Sequence, residues 1–176
     1  MLSKPELLAP AGDFTRLEYA IEYGADAVYI GGPLLNLRAN AINFSFEDIE
    51  EGVKFAHSLN KKVYVTVNIV FHDEDIEKLE SYLKKLEELQ VDAIIVSDPA
   101  VIKVSRNVTN LDIHLSTQAS TMNKEAALFF KNQGVSRIVL ARELSKEDIV
   151  DIKENVDIEL ECFIHGAMCA GISGRC

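Results

Sequence analysis

The residues best suited to chemistry crowd into the last sixteen positions, Glu161 to Cys176. This stretch holds all three cysteines (Cys162, Cys169 and Cys176), one of the four histidines (His165) and three of the nine glycines. Thiolates in a loop after a strand suit iron–sulfur clusters, which take four cysteines and tolerate long gaps. The six residues between Cys169 and Cys176 exceed the roughly two-to-four spacing of structural zinc sites. Gly171 and Gly174 let the backbone wrap round and offer N–H groups to cluster sulfurs. On spacing alone, two ordinary loop cysteines remain the alternative. Cys162 alternates onto the aliphatic face of its strand and is expected to be a core thiol. A cluster begun here would be half built. Residues 1–176 are therefore expected to be the N-terminal, incomplete part of a catalytic domain.

The elements that must position these groups alternate between two periods. Short apolar runs at Glu6–Pro10, Ala27–Ile30, Val63–Asn68, Ala93–Ser97, Asp112–Gln118, Arg137–Ala141 and Ile158–Ile164 read as strands. Helical segments follow all but the last. They begin near Asp13, Ser45, Asp73, Pro99, Asn123 and Ser145, and Ile76, Leu79, Leu83 and Leu86 of the third fall at helical spacing. Ser145 to Asp148 has capping-box spacing. Repeated βα units of this length mean a parallel sheet covered by helices. Seven of them favour a (β/α)8 TIM-type barrel, truncated after the seventh strand, over an open doubly wound sheet. The unfilled eighth position would expose strand edges, which invites a homo- or hetero-oligomer.

Several strands carry a polar face where a fully buried strand would be aliphatic on both sides. Tyr64, Thr66 and Asn68 alternate with valines, His114, Ser116 and Gln118 with Ile113, Leu115 and Thr117, and Glu159 and Glu161 with Ile158, Leu160 and Cys162. Helices cover the aliphatic faces, so the polar faces point into the barrel. Two readings stay open: a satisfied buried network, such as Glu161 with Arg142 or His114, or a solvated cavity at the strand C-terminal ends. The candidate catalytic groups are Glu161, Glu159, His165 and Arg142. Candidate substrate ligands are Asn68, His114, Gln118, Arg38 in the long loop after the second strand, and Glu143. Arg142 and Glu143 could instead cap the helix that follows them.

Composition excludes some classes. No apolar run approaches the ~20 residues a spanning helix needs, so no membrane role is expected. Three cysteines without an apolar leader favour reduced thiols in the cytoplasm. The net charge is −10, from 18 basic and 28 acidic residues. Affinity for nucleic acid rests largely on phosphate neutralisation, so any RNA contact must come from a local patch or from sequence beyond residue 176.

Five segments carry a family resemblance: Glu6-Leu-Leu-Ala-Pro-Ala-Gly12, Asp26-Ala-Val-Tyr-Ile-Gly-Gly32, His114-Leu-Ser-Thr-Gln118, Val139-Leu-Ala-Arg-Glu143, and the run from Glu161 through His165-Gly-Ala-Met-Cys169 to Cys176. Together they resemble the collagenase-like peptidases, family U thirty-two of the peptidase classification. The resemblance implies a TIM-type barrel. It also implies either a peptidase, as the family name has it, or an oxygen-independent hydroxylase acting on RNA or a small molecule. The loop lengths look most like the tRNA branch, which forms 5-hydroxyuridine at the wobble position with prephenate as co-substrate. The resemblance further implies that Cys169 and Cys176 are the first two of four ligands to a [4Fe–4S] cluster, so the fragment alone would be inactive. Ile172 stands where the family usually has an aromatic. Three classes therefore compete: iron–sulfur hydroxylase, peptidase, and a binding module without catalysis.

Overall fold

A computed structural model describes residues 4–37, 43–166 and 171–173. Seven strands, β1 (Leu8–Pro10), β2 (Ala27–Gly31), β3 (Lys62–Val67), β4 (Ala93–Val96), β5 (Asp112–Leu115), β6 (Arg137–Val139) and β7 (Glu159–Glu161), lie side by side in chain order. Every neighbouring pair is parallel. The connections are α1 (Phe14–Glu22), α2 (Phe46–Ser58), α3 (Asp73–Glu88), α4 (Pro99–Val108), α5 (Lys124–Asn132) and α6 (Lys146–Asn155). The fold is an α/β TIM-like barrel truncated after seven strands. Among the described residues β1 and β7 each keep one unpaired edge. No helix among them is long and apolar enough to cross a membrane.

Local chemistry starts each helix where the sequence places it. Asp13, Ser45, Asp98, Asn123 and Ser145 each accept a hydrogen bond from a backbone N–H of the helix they precede. Ser45 with Asp48 and Ser145 with Asp148 form reciprocal capping boxes, so Arg142 and Glu143 are not the caps of α6. β5 ends three residues earlier than the alternation suggests. The Ser116 hydroxyl accepts from the Gln118 N–H and opens a single 3-10 turn, Thr117–Ala119. Gln118 therefore reaches the barrel mouth on a turn.

The main core lies between sheet and helices. Val63, Val65 and Val67 of β3 and Ile94 and Val96 of β4 meet Leu79, Leu83 and Leu86 of α3, all fully buried. A buried aliphatic side chain contributes about 1.5–3 kcal/mol, so this layer supplies most of the driving force. Inside the barrel a second, smaller cluster of Ala27, Tyr64, Ala93 and Ile95, with Leu8 and Tyr29 against it, plugs the lower half.

Asp26, just before β2, ties the N-terminal segment to the sheet. It accepts from the Leu7 N–H at 3.1 Å, Lys61 at 3.1 Å and Lys4 at 3.3 Å. These bonds, the Leu7 N–H foremost, hold its carboxyl down from 3.8 to about 2. A depressed carboxyl contributes stability that is full above its unfolded value and lost as pH falls towards the folded one. Asp26→Asn should therefore flatten the acid-unfolding curve between pH 4 and 2 and leave its shape above pH 5 unchanged. Far-UV circular dichroism reads this in a chain without tryptophan.

Candidate functional site

At the C-terminal ends of the strands a cavity of about 490 Å³ opens, and each of the seven strands or the turn just after it contributes to its lining. Register explains which groups reach it. Thr66, Ile95, His114, Arg137 and Glu159 are paired successively across β3 to β7 and form one inward row. Val139 and Glu161 pair one step closer to the mouth. Asn68, Gln118 and Glu161 line the cavity together, Asn68 and Glu161 with the parity the strand faces predict and Gln118 from the turn after β5. Tyr64, His114 and Glu159 do not; their side chains are engaged around Arg137 instead.

Those lower groups form a network centred on Arg137, whose side chain is 10% exposed. One Nη donates to Glu6 Oε1 at 2.6 Å. Nε and the other Nη both reach Glu159 Oε2, at 2.9 and 2.7 Å. The Tyr64 hydroxyl donates to Glu6 at 2.8 Å, and the His114 ring meets the Tyr64 ring edge-on at 4.6 Å. Burial alone would raise the Glu6 carboxyl, but the bonds from Arg137 and Tyr64 outweigh it and hold it low. Burial, with Arg137 nearby, pushes His114 down to about 3, so the ring is neutral at physiological pH. Its Nδ1 is buried and makes no hydrogen bond among the described residues. His114 thus lies in the core and is not part of the cavity lining.

Glu161 lies at the boundary between the network and the cavity. Its Oε2 is buried without a hydrogen bond and stands 3.6 Å from the Arg137 guanidinium, beyond hydrogen-bond range. Burial raises its carboxyl; Arg137 opposes the shift and Glu6 adds to it. With Arg137 already engaged by Glu6 and Glu159, Glu161 is under-compensated and biased towards holding a proton. The partner expected for it, Arg142 or His114, is in fact Arg137.

The walls above Glu161 are mixed. Gln118 Oε1 accepts from Asn68 Nδ2 at 2.7 Å and from the Ser116 hydroxyl at 3.2 Å, which fixes the amide orientation. Asn68 also holds the loop after β2: its N–H donates to the Leu35 carbonyl and its Oδ1 accepts from Leu37. Asn36 and Asn43 from that loop line the cavity against Gly31. A Cβ at Gly31 would lie 2.9 Å from Asn43 Oδ1 and 3.4 Å from the Asn36 amide. Gly31→Ala should therefore displace the cavity roof. We expect a tenfold to hundredfold loss of turnover, on the order that small misplacements cost, with stability changed by under about 1 kcal/mol. Steady-state kinetics beside thermal melts would separate the two.

The remaining predicted groups lie elsewhere. Arg142 and His165 line a second cavity of about 290 Å³, which shares Phe163 with the first. The Arg142 guanidinium stacks over Phe163 at 4.3 Å. Glu143 does not line either cavity. Its carboxylate accepts from the Ser173 N–H at 2.8 Å and is held low by that bond. Ser173 also accepts from the Arg142 N–H and, through its carbonyl, from the Ser120 hydroxyl. Glu159 is 67% exposed at the side chain and serves Arg137, not the cavity. Cys162 is exposed rather than core, because β7 ends at Glu161 and the alternation stops there. Arg38, Cys169 and Cys176 lie outside the described residues. Asn43 is marked by the sequence together with Arg38 in the loop after β2, whereas Arg137, Glu6 and Asn36 carry no such mark. The usable signal for Arg137 was its inward parity beside His114 and Glu159.

The profile of Peptidase family U32 matches residues 12–176. A tRNA hydroxylation protein of Bacillus subtilis is 54% identical over 98% of this chain, which spans 41% of that relative's length. A 23S rRNA 5-hydroxycytidine synthase of Escherichia coli is 42% identical over 97% of the chain, covering 26% of that relative. Among solved structures, a U32 peptidase superposes with a TM-score of 0.74 at 20% identity, covering 92% of this chain and 69% of that one. That likeness speaks for the fold.

Proposed function

The chain belongs to peptidase family U32, and from this premise we propose that it is the N-terminal, substrate-binding part of a cytoplasmic RNA hydroxylase. The observation that carries the reading is the 54% identity, along almost the whole chain, to a protein named for tRNA hydroxylation. The site supports it. The cavity offers amides and hydroxyls for recognition and one carboxyl, Glu161, able to give or take a proton at a bound base. A proton-transferring side chain contributes on the order of 10²–10⁴-fold. Tyr29 and Phe163 add aromatic surface to the walls of the cavity. With a net charge of −10, most phosphate contacts belong to the part of the protein beyond this chain. Liquid chromatography with mass spectrometry of tRNA and rRNA nucleosides tests the reading. Cells lacking the full-length gene should lose a hydroxylated pyrimidine, and an unchanged nucleoside profile would overturn it.

A [4Fe–4S] cluster, prephenate as co-substrate and independence from dioxygen belong to the same proposal. Cys169 and Cys176 would hold the cluster with two thiolates from outside this chain, and when bound it would supply electron-transfer chemistry. The donor chemistry fits. In the sequence Cys169 and Cys176 lie on either side of Ser173, which is held by Glu143, Arg142 and Ser120. No group of three His, Cys, Asp or Glu side chains among the described residues is arranged to hold a metal. In the full-length protein, Cys169→Ala and Cys176→Ala should each abolish bound iron and visible absorbance, since four thiolates are needed together. Cys162→Ala should keep both, and the 176-residue chain alone should stay colourless after anaerobic reconstitution. Iron analysis checks each outcome. A peptidase would need a base oriented towards a nucleophile; among the described residues His165 makes no hydrogen bond that could orient it.

A further inference from the structure

We propose that Glu6, from the segment before β1, is a positioning residue for the cavity carboxyl Glu161. By occupying Arg137 it keeps the guanidinium from closing on Glu161, and so governs the proton that Glu161 carries. Glu159, along the other edge of the guanidinium, acts with it. The proposal rests on the hydroxylase reading for its consequence in turnover, and it gives a task to groups that do not line the cavity.

The competition is visible at a single nitrogen. Arg137 Nη1 donates to Glu6 Oε1 at 2.6 Å, and the same Nη1 stands 3.6 Å from Glu161 Oε2. Nε and Nη2 are taken by Glu159 Oε2, at 2.9 and 2.7 Å. Rotation of the fork towards Glu161 is thus opposed on both edges. Glu6 is itself held in place. The Tyr64 hydroxyl donates to its Oε1 at 2.8 Å, and Lys62 Nζ stands 3.6 Å from its other oxygen. The Arg137 guanidinium also lies over the Tyr64 ring, 5.5 Å from the centroid, so Tyr64 braces both partners of the pair. Glu161 is left with a buried Oε2 that has a cation near it and no hydrogen bond to it. One guanidinium does not neutralise three carboxylates where the dielectric is low, and the least engaged of the three keeps a proton. Glu6 and Glu161 respond in opposite directions. Burial raises both; the bonds from Arg137 and Tyr64 reverse the shift at Glu6, whereas at Glu161 Arg137 only reduces it. Among the described residues no other ionisable neighbour supplies the missing charge. His114 is neutral through burial, and burial, with Glu161 beside it, raises the Cys162 thiol. Lys62 is half-exposed and pairs with Glu6, not with Glu161.

The test uses the full-length protein, and its first part needs no RNA. The Glu161 carboxyl is titrated by infrared difference spectroscopy, its band assigned by its loss in Glu161→Gln. Glu6→Gln keeps the shape and the acceptor but removes the charge, so Arg137 is freed and a like charge disappears. Both effects favour the ionised form of Glu161. Its midpoint should fall by about one unit, the scale set by a neighbouring charge. Glu159→Gln should move it the same way by less, because that side chain is exposed and screened by water. The Glu161 limb in the pH profile of oxygen addition to RNA, followed by mass spectrometry, should shift to lower pH by the same amount. That direction holds whether Glu161 gives or takes the proton. A purely structural role would lower the melting temperature and leave the midpoint in place. An unchanged or raised midpoint in a folded Glu6→Gln protein would overturn the proposal even if the wild-type enzyme hydroxylates RNA. Where Glu6→Gln does not fold, Glu159→Gln decides: a lowered midpoint supports the proposal and an unchanged one overturns it. If the midpoints fall as expected but the wild-type enzyme adds no oxygen to RNA, the positioning role stands and the hydroxylase reading falls.

Discussion

Arg137→Met is expected to lower the stability of the folded chain by about 3–5 kcal/mol at neutral pH, the usual consequence of stripping one partner from a buried ionic cluster. The guanidinium is 10% exposed and faces Glu6, Glu159 and Glu161, whose side chains are 24%, 67% and 20% exposed. Glu159 can turn to solvent and contributes little. Glu6 and Glu161 cannot, and without Arg137 they would be confined together beside Tyr64. The defect should shrink as pH falls through the carboxylate range, because protonated Glu6 and Glu161 no longer need the cation. Urea unfolding of wild type and variant at pH 7 and pH 4 measures both points. A loss under about 0.5 kcal/mol at pH 7 would mean that the network is a solvated surface pair. The expected size follows from topology: Glu6 precedes β1 and Arg137 begins β6, so their bond spans 131 residues and ties the two sides of an unclosed barrel.

Much of this was legible in the sequence, and the reasons for the exceptions are physical. Strand and helix periods, with capping residues such as Ser45 and Ser145, specify seven βα units because each signal is local. Parity then brought Asn68 and Glu161 to one cavity correctly. What parity cannot supply is depth along the barrel axis. His114 has the same inward parity as Ser116 but lies one pair lower, in the row of Arg137 and Glu159, and is buried against Tyr64. Arg137 reads as the polar start of a strand, and nothing near it in the chain announces a carboxylate 131 residues away. Gln118 reached the cavity for a different reason from the one expected, since a turn begun by Ser116 carries it there. Alternation failed beyond Glu161, where β7 stops, so Cys162, Phe163 and His165 follow loop geometry. Glu143 looked like a helix cap, yet it holds Ser173, a contact 30 residues away that no local pattern encodes.

Glu161→Gln in the full-length enzyme should have the largest functional effect. The amide keeps the shape of the side chain and removes the proton. The sign of its stability effect is opposite to that of Arg137→Met. A carboxyl raised by burial contributes stability below its unfolded value near 4.5, and that contribution is lost as pH rises through the folded value. Removing the ionisation should leave the variant equally or slightly more stable at pH 7, a trade of stability against function common at active sites.

The most direct measurement is the rate of one-oxygen addition to RNA by the purified full-length Glu161→Gln enzyme, followed by nucleoside mass spectrometry beside a thermal melt. The hydroxylase reading predicts a fall in turnover of about 10²–10⁴-fold, with RNA affinity within about tenfold of wild type and no loss of melting temperature. Turnover within a few-fold of wild type would contradict it, because Glu161 is the one carboxyl lining the cavity among the described residues, and a site that dispenses with it is not where the chemistry occurs.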